Sequence, residues 1–211
     1  MTAQLATVSD RILANVEDAG VFRERSVIPS ITGDKPQIGD IQFDGGYLSP
    51  HFITDPERME VAFDDVYILV QEGTISSGGD LLPLLEQITK SGRPILIIAE
   101  AIAGEALATL VVKKLNGHLQ VVAVRAPGLG DERKRMLLNI ALLTGCKTTT
   151  GGVEIQLGDW QISDLGRARR ITVDKRHTCI ATLEERDLLQ RMPMSLVAAA
   201  AVPPESILDV G

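Results

Sequence analysis

Aromatic side chains are scarce in this chain: only 3% of its 211 residues are Phe, Trp or Tyr, against 45% that are apolar. That apolar share excludes a disordered chain, and the shortage of rings means the core must be built from Val, Ile, Leu and Ala. Basic charge is also short. A formal net charge of −7 disfavours attraction to phosphate backbones, which needs clustered Lys and Arg, so nucleic acid is not an expected partner. The two cysteines, Cys146 and Cys179, give neither a disulfide framework nor a paired metal motif, and read as buried, reduced thiols. His51, His118 and His177 lack the short-range pairing of a metal site, and no cofactor is expected. Long hydrophobic runs are missing too. The longest, Leu196 to Val202, falls far short of the ~20 residues that cross a bilayer, so no membrane partner is expected. Met1 to Asp10 lacks a basic region followed by an apolar one, and the expectation is a soluble, cytoplasmic protein.

What is present is one core's worth of alternating elements. Ser9 or Asp10 starts a short amphipathic run carrying Ile12, Leu13 and Val16, and Gly20, Pro29, Gly33, Pro36 and Gly39 then interrupt any long element. Residues 1–40 therefore read as a helix and an irregular arm. From Ile41 the pattern tightens. Apolar runs predict strands at Val66–Val70, Pro94–Ala99, Leu119–Val124 and Arg170–Val173, with a weaker one at Thr178–Ala181. Helical patterns lie between them at Asp80–Ser91, Gly104–Asn116 and Asp131–Leu143. The alternation implies an α/β domain over residues 41–183 whose strands are largely covered by helices. Residues 184–211 read as a charged helix, Glu184 to Met192, stopped by Pro193 and followed by a mobile tail.

The helix from Glu105 to Asn116 is the unusual element. On a wheel of 100° per residue, Ala106, Leu107, Ala108, Leu110, Val111, Val112 and Leu115 occupy an arc of roughly 240°, broken only by Lys114, where a helix on a sheet needs a stripe of about 100°. In the preceding helix Leu81, Leu84, Leu85 and Ile88 form an ordinary core stripe, and Leu82 lies outside it. The surplus must stand exposed or be buried by the terminal arms or a second copy. Two successive helices on one sheet face would border a shared groove suited to a peptide.

Several motifs match a known family in order and spacing. Gly46-Tyr47-Leu48-Ser49-Pro50-His51-Phe52, preceded by Phe43-Asp44, resembles the opening of the apical domain of group I chaperonins, the GroEL family. Gly92-Arg93-Pro94-Ile95-Leu96-Ile97-Ile98-Ala99-Glu100 and Gly104-Glu105-Ala106-Leu107-Ala108-Thr109-Leu110-Val111-Val112 are similar to further stretches of it. Ala123-Val124-Arg125-Ala126-Pro127-Gly128-Leu129-Gly130-Asp131, with Arg133-Lys134 behind, continues the match. The resemblance runs from about Ile41 to Ala181. It implies a β-sandwich core flanked by helices, of the swivelling β/β/α type, that binds non-native polypeptides and a co-chaperonin's mobile loop in a groove between two helices. Carried over position by position, the binding residues are Tyr47, His51 and Phe52 in an extended segment, Leu82 and Leu85 on the first helix, and Leu107, Val111 and Val112 on the second. Full-length relatives form heptameric rings; a monomer or weak oligomer is expected here. Residues 1–40, through Ala6-Thr7-Val8-Ser9, resemble a remnant of the family's intermediate domain.

The chemistry suits the implied role. A site that accepts many unfolded sequences cannot depend on directional hydrogen bonds, and apolar contact, worth roughly 25 cal/mol per Å² buried, is non-directional. Three departures bear on it. His51 stands where the family has a tyrosine, which makes that anchor smaller and more polar. Gly78-Gly79 should fray the first turn of the first groove helix and loosen the groove. Pro83 removes one helical donor.

The family's ATPase loop, Gly-Asp-Gly-Thr-Thr-Thr, is absent, so ATP-independent binding and no enzyme activity are expected. Cys146-Lys147-Thr148-Thr149-Thr150-Gly151 lacks the glycines of a phosphate loop. Gly128-Leu129-Gly130-Asp131 reads as a tight turn with Asp131 capping the next helix, Asp64-Asp65 and Glu184-Glu185 as solvated surface, and Trp160 as packing. The alternative to polypeptide binding is a structural or assembly module whose groove is filled by its own tail or by another copy.

Overall fold

The computed structural model of the chain describes residues 40–147 and 157–183. The arm and helix expected before residue 40, the helix and tail after residue 183, and Thr148–Gly151 lie outside the described residues. Six strands, β1 (Ile41–Asp44), β2 (Val61–Ile75), β3 (Ile95–Ile102), β4 (Val121–Arg125), β5 (Gly166–Val173) and β6 (His177–Thr182), form one sheet in the order β1-β6-β5-β2-β3-β4. Three helices accompany them: α1 (Gly78–Ser91), α2 (Gly104–Leu115) and α3 (Gly130–Thr144). The protein is thus mixed α/β. Where the resemblance implied a sandwich, the pairing among the described residues is that of a single continuous sheet.

The long strand β2 joins two halves of different character. Its first part pairs antiparallel with β5, and its second part pairs parallel with β3, which pairs parallel with β4. In the antiparallel part, burial alternates: Val61 and Phe63 are inside while Asp64 is outside. In the parallel part every residue from Val66 to Val70 is buried, as are Ile95–Ala99 and Val121–Val124. Continuous burial requires cover on both faces of the sheet. The crossovers β2-α1-β3 and β3-α2-β4 run in one direction across the sheet, so right-handed connection puts α1 and α2 side by side on one face. The helix α3 packs against β2 and β5 instead.

Local chemistry sets these elements. Ser77 caps α1, its Oγ accepting the Gly79 N–H at 3.1 Å, and Gly92 ends the helix in the left-handed region at φ 71°. Pro83 sits within α1, exposed, and the helix runs through it. The expected Asp131 cap is corrected: α3 begins at Gly130 after Leu129, and Asp131 lies in the first turn, where its charge complements the helix dipole. Trp160 is buried in the core. Asp64 and Asp65 are exposed but not simply solvated. Asp64 pairs with Arg170 at 3.2 Å, and Asp65 pairs with Arg93 at 2.9 Å and also with Arg167. Both cysteines are free, and burial pushes each thiol up to about 11, leaving little thiolate near neutrality. Cys146 is fully buried and Cys179 only partly so.

Candidate polypeptide-binding face

The segment Gly45–Ile53 is laid down by the sheet. Gly46 crosses the β5–β6 turn so closely that any Cβ would collide with the main chain of Lys175. Tyr47 then bridges to Val124, and the Leu48 N–H donates to the Ala123 carbonyl at 2.9 Å, so this segment covers the outer edge of β4. Ser49 and Pro50 start a short 3₁₀ turn, Pro50–Phe52, with the Ser49 hydroxyl accepting the His51 N–H at 3.3 Å. Lys114 of α2 pins that turn. Its Nζ donates to the carbonyls of His51 and Ile53 at 2.9 and 3.0 Å, and burial holds its ammonium below the ordinary lysine range. The one polar break in the apolar arc of α2 is therefore a tether.

That tether divides the expected site in two. Leu107, Val111 and Lys114 recur at i, i+4 and i+7 and share the flank of α2 that faces the 3₁₀ turn. Leu107 and Val111 are half-buried against the core there. Val112 is on another flank with Glu105, Thr109 and Asn116, open to solvent. It is 53% exposed, and Leu115 beyond it is 64% exposed.

The helix α1 supplies the opposite wall. Gly78 is buried at its start, and a Cβ there would strike the Thr109 side chain. The glycine expected to loosen this side instead lets α1 approach α2 closely. The two helices pack against each other along their lengths from this contact. Leu82 is 38% exposed. Two large aliphatic side chains are thus exposed on two helices that pack together.

The remaining expected site residues lie elsewhere. Phe52 and Leu85 are both 0% exposed and belong to the core, so neither offers surface to a ligand. For Leu85 the helical wheel and the resemblance gave different roles, and its burial agrees with the wheel. Tyr47 is half-buried at the β4 edge, and His51 is exposed on the 3₁₀ turn.

A shallow concavity along the outer side of α2 is lined by Glu105, Ala108, Thr109, Val112, Lys113, Asn116 and His118, with no residue of α1. Of these, only Val112 was anticipated as a site residue. Ala108 lay within the wheel's apolar arc, but the polar members carried no apolar signal. A wheel read for all exposed residues would have grouped Glu105, Thr109, Val112 and Asn116 at i, i+4, i+7 and i+11. No protein-family model matches the chain. Among the described residues no helix is long and apolar enough to cross a membrane.

Proposed function

We propose that this chain is a polypeptide-binding domain of chaperonin apical type, holding non-native segments on the apolar surface shared by α1 and α2 without ATP. The single observation that carries the reading is the exposure of Leu82 and Val112 on two packed helices, with Leu115 a further exposed aliphatic side chain of α2. Large aliphatic side chains left open to water on two packed helices support a contact surface. The near-complete correspondence of Gly104–Val112 to the second groove helix of that family supports the same assignment. The reading makes Leu82 and Val112 the contact residues, with Leu85 in the core as the floor beneath α1 and Phe52 in the core as the floor beneath the tethered turn. Leu107, Val111, Tyr47 and His51 form the adjoining ledge. A co-chaperonin's mobile loop, being an extended apolar segment, would use the same strip. No catalytic step is assigned.

Apolar contact gives breadth with modest affinity per site, because ordering a flexible client opposes binding. The test is aggregation of a chemically unfolded client diluted into buffer with the chain present. The double variant Leu82→Ser/Val112→Ser should need roughly tenfold more protein for equal protection, as expected from losing two aliphatic contacts. Its circular dichroism should match the parent. Equal protection by a folded double variant would refute the assignment. Protection that emerges only after residues 184–211 are deleted would favour a groove covered by the chain's own tail.

A further inference from the structure

The concavity along α2 is not uniformly apolar. Glu105 lines one end, Lys113 and His118 line the other, and Ala108 and Val112 lie between. Neither Glu105 nor Lys113 has an ion-pair partner among the described residues, so both charges are free to meet a ligand. The helix dipole explains the sign favoured at each terminus. It does not explain why both unpaired charges border the same concavity as the exposed Val112.

Resting on the polypeptide-binding reading above, we propose that this strip selects extended client segments with a basic residue, an apolar residue and an acidic residue at alternate positions. The spacing fits. Eight residues of helix from Glu105 to Lys113 advance about 12 Å at 1.5 Å each. Four residues of extended chain advance about 13 Å, and positions i, i+2 and i+4 face the same side. A segment of the form Lys-x-Leu-x-Glu thus places its ammonium at Glu105, its leucine on Ala108 and Val112, and its carboxylate at Lys113 and His118. The strip offers side chains and not an open strand edge, so no backbone ladder fixes chain direction. The reversed segment Glu-x-Leu-x-Lys docks equally well in the opposite sense.

The test is fluorescence anisotropy of labelled peptides centred on Lys-Ser-Leu-Ser-Glu, Glu-Ser-Leu-Ser-Lys, Lys-Ser-Leu-Ser-Lys and Gln-Ser-Leu-Ser-Gln, with the full chain at low salt. The two bipolar peptides should bind alike and about fivefold tighter than the neutral one, the scale of two exposed charge pairs, and salt should erase the difference. Lys113→Glu should shift the preference to Lys-Ser-Leu-Ser-Lys. Equal binding of neutral and bipolar peptides would overturn the charge selection and leave the apolar groove standing. So would peptides that fail to bind while an unfolded client still does. Failure of every peptide and every client would remove the groove itself.

Discussion

The two flanks of α2 differ in a way that composition does not foretell. Leu107 and Val111 on one flank, and Val112 on the other, are chemically alike. The first pair is half-covered because Lys114 ties the Pro50–Phe52 turn against it; Val112 has no such cover among the described residues. A helix that is apolar nearly all round has thus been closed on one side by a tethered turn and left open on the other. What separates the covered flank from the open one here is a lysine reaching two carbonyls.

The contrast is broken most severely from below. Phe52→Ala should cost about 3–5 kcal/mol, because a fully buried ring leaves a cavity under the tethered turn. Val112→Ser, by comparison, should change stability by no more than about 0.5 kcal/mol. Chemical denaturation of both variants checks the pair, and comparable losses would erase the distinction between floor and surface.

Gly78→Ala tests how closely the two helices meet. The added Cβ has to displace the Thr109 side chain, and the expected loss is about 1–3 kcal/mol despite alanine's better helix propensity. Combining it with Thr109→Gly should recover part of that loss. A Gly78→Ala variant more stable than the parent would show that the contact does not constrain α1.

Lys114→Met should cost about 1–2 kcal/mol, since it removes two charge-assisted hydrogen bonds from a half-buried site. Its more telling effect is local: limited proteolysis should cut faster between Ile53 and Arg58, while the rest of the domain keeps its resistance. An unchanged cleavage pattern would mean that the turn is held without the tether.

The smallest effect concerns the β5–β6 turn against which Gly46 lies. Burial pushes the Asp174 carboxyl up, but the N–H groups of Arg176 and His177 and the His177 ring outweigh this and hold it below the usual carboxylate range. A depressed folded pKa contributes stability above the unfolded value, and that stability is lost as pH falls through the folded one. The Tm of the parent should therefore fall more steeply than that of Asp174→Asn below about pH 4. The difference should be only a few tenths of a kcal/mol, because the side chain is half-exposed. Parallel acid limbs would remove the turn from the pH response.

Much of the fold was legible because its local signals agree. The continuous apolar runs at Val66–Val70 and Pro94–Ala99 read as covered strands, and Leu81, Leu84, Leu85 and Ile88 read as a core stripe; the structure buries them all. The strand β1 was not legible. Four residues with a single β-branched side chain carry little propensity, and its pairing with β6 arises from tertiary contact. The candidate site was legible only in part. Apolar surplus pointed to α2, but a wheel shows which residues share a flank and not what packs against that flank. The turn carrying Phe52 comes from more than fifty residues upstream of α2, and nothing local to α2 records it. Gly78 misled for a related reason: its propensity cost is local, whereas its close approach to Thr109 is not.

Methyl chemical shifts of the isotope-labelled chain, titrated with an unfolded client, test the open flank most directly. The predicted result is movement of Leu82, Val112 and Leu115 ahead of Leu107 and Val111, with Leu85 still. Movement confined to the Leu129 turn, or none at saturating client, would contradict a binding surface between these two helices.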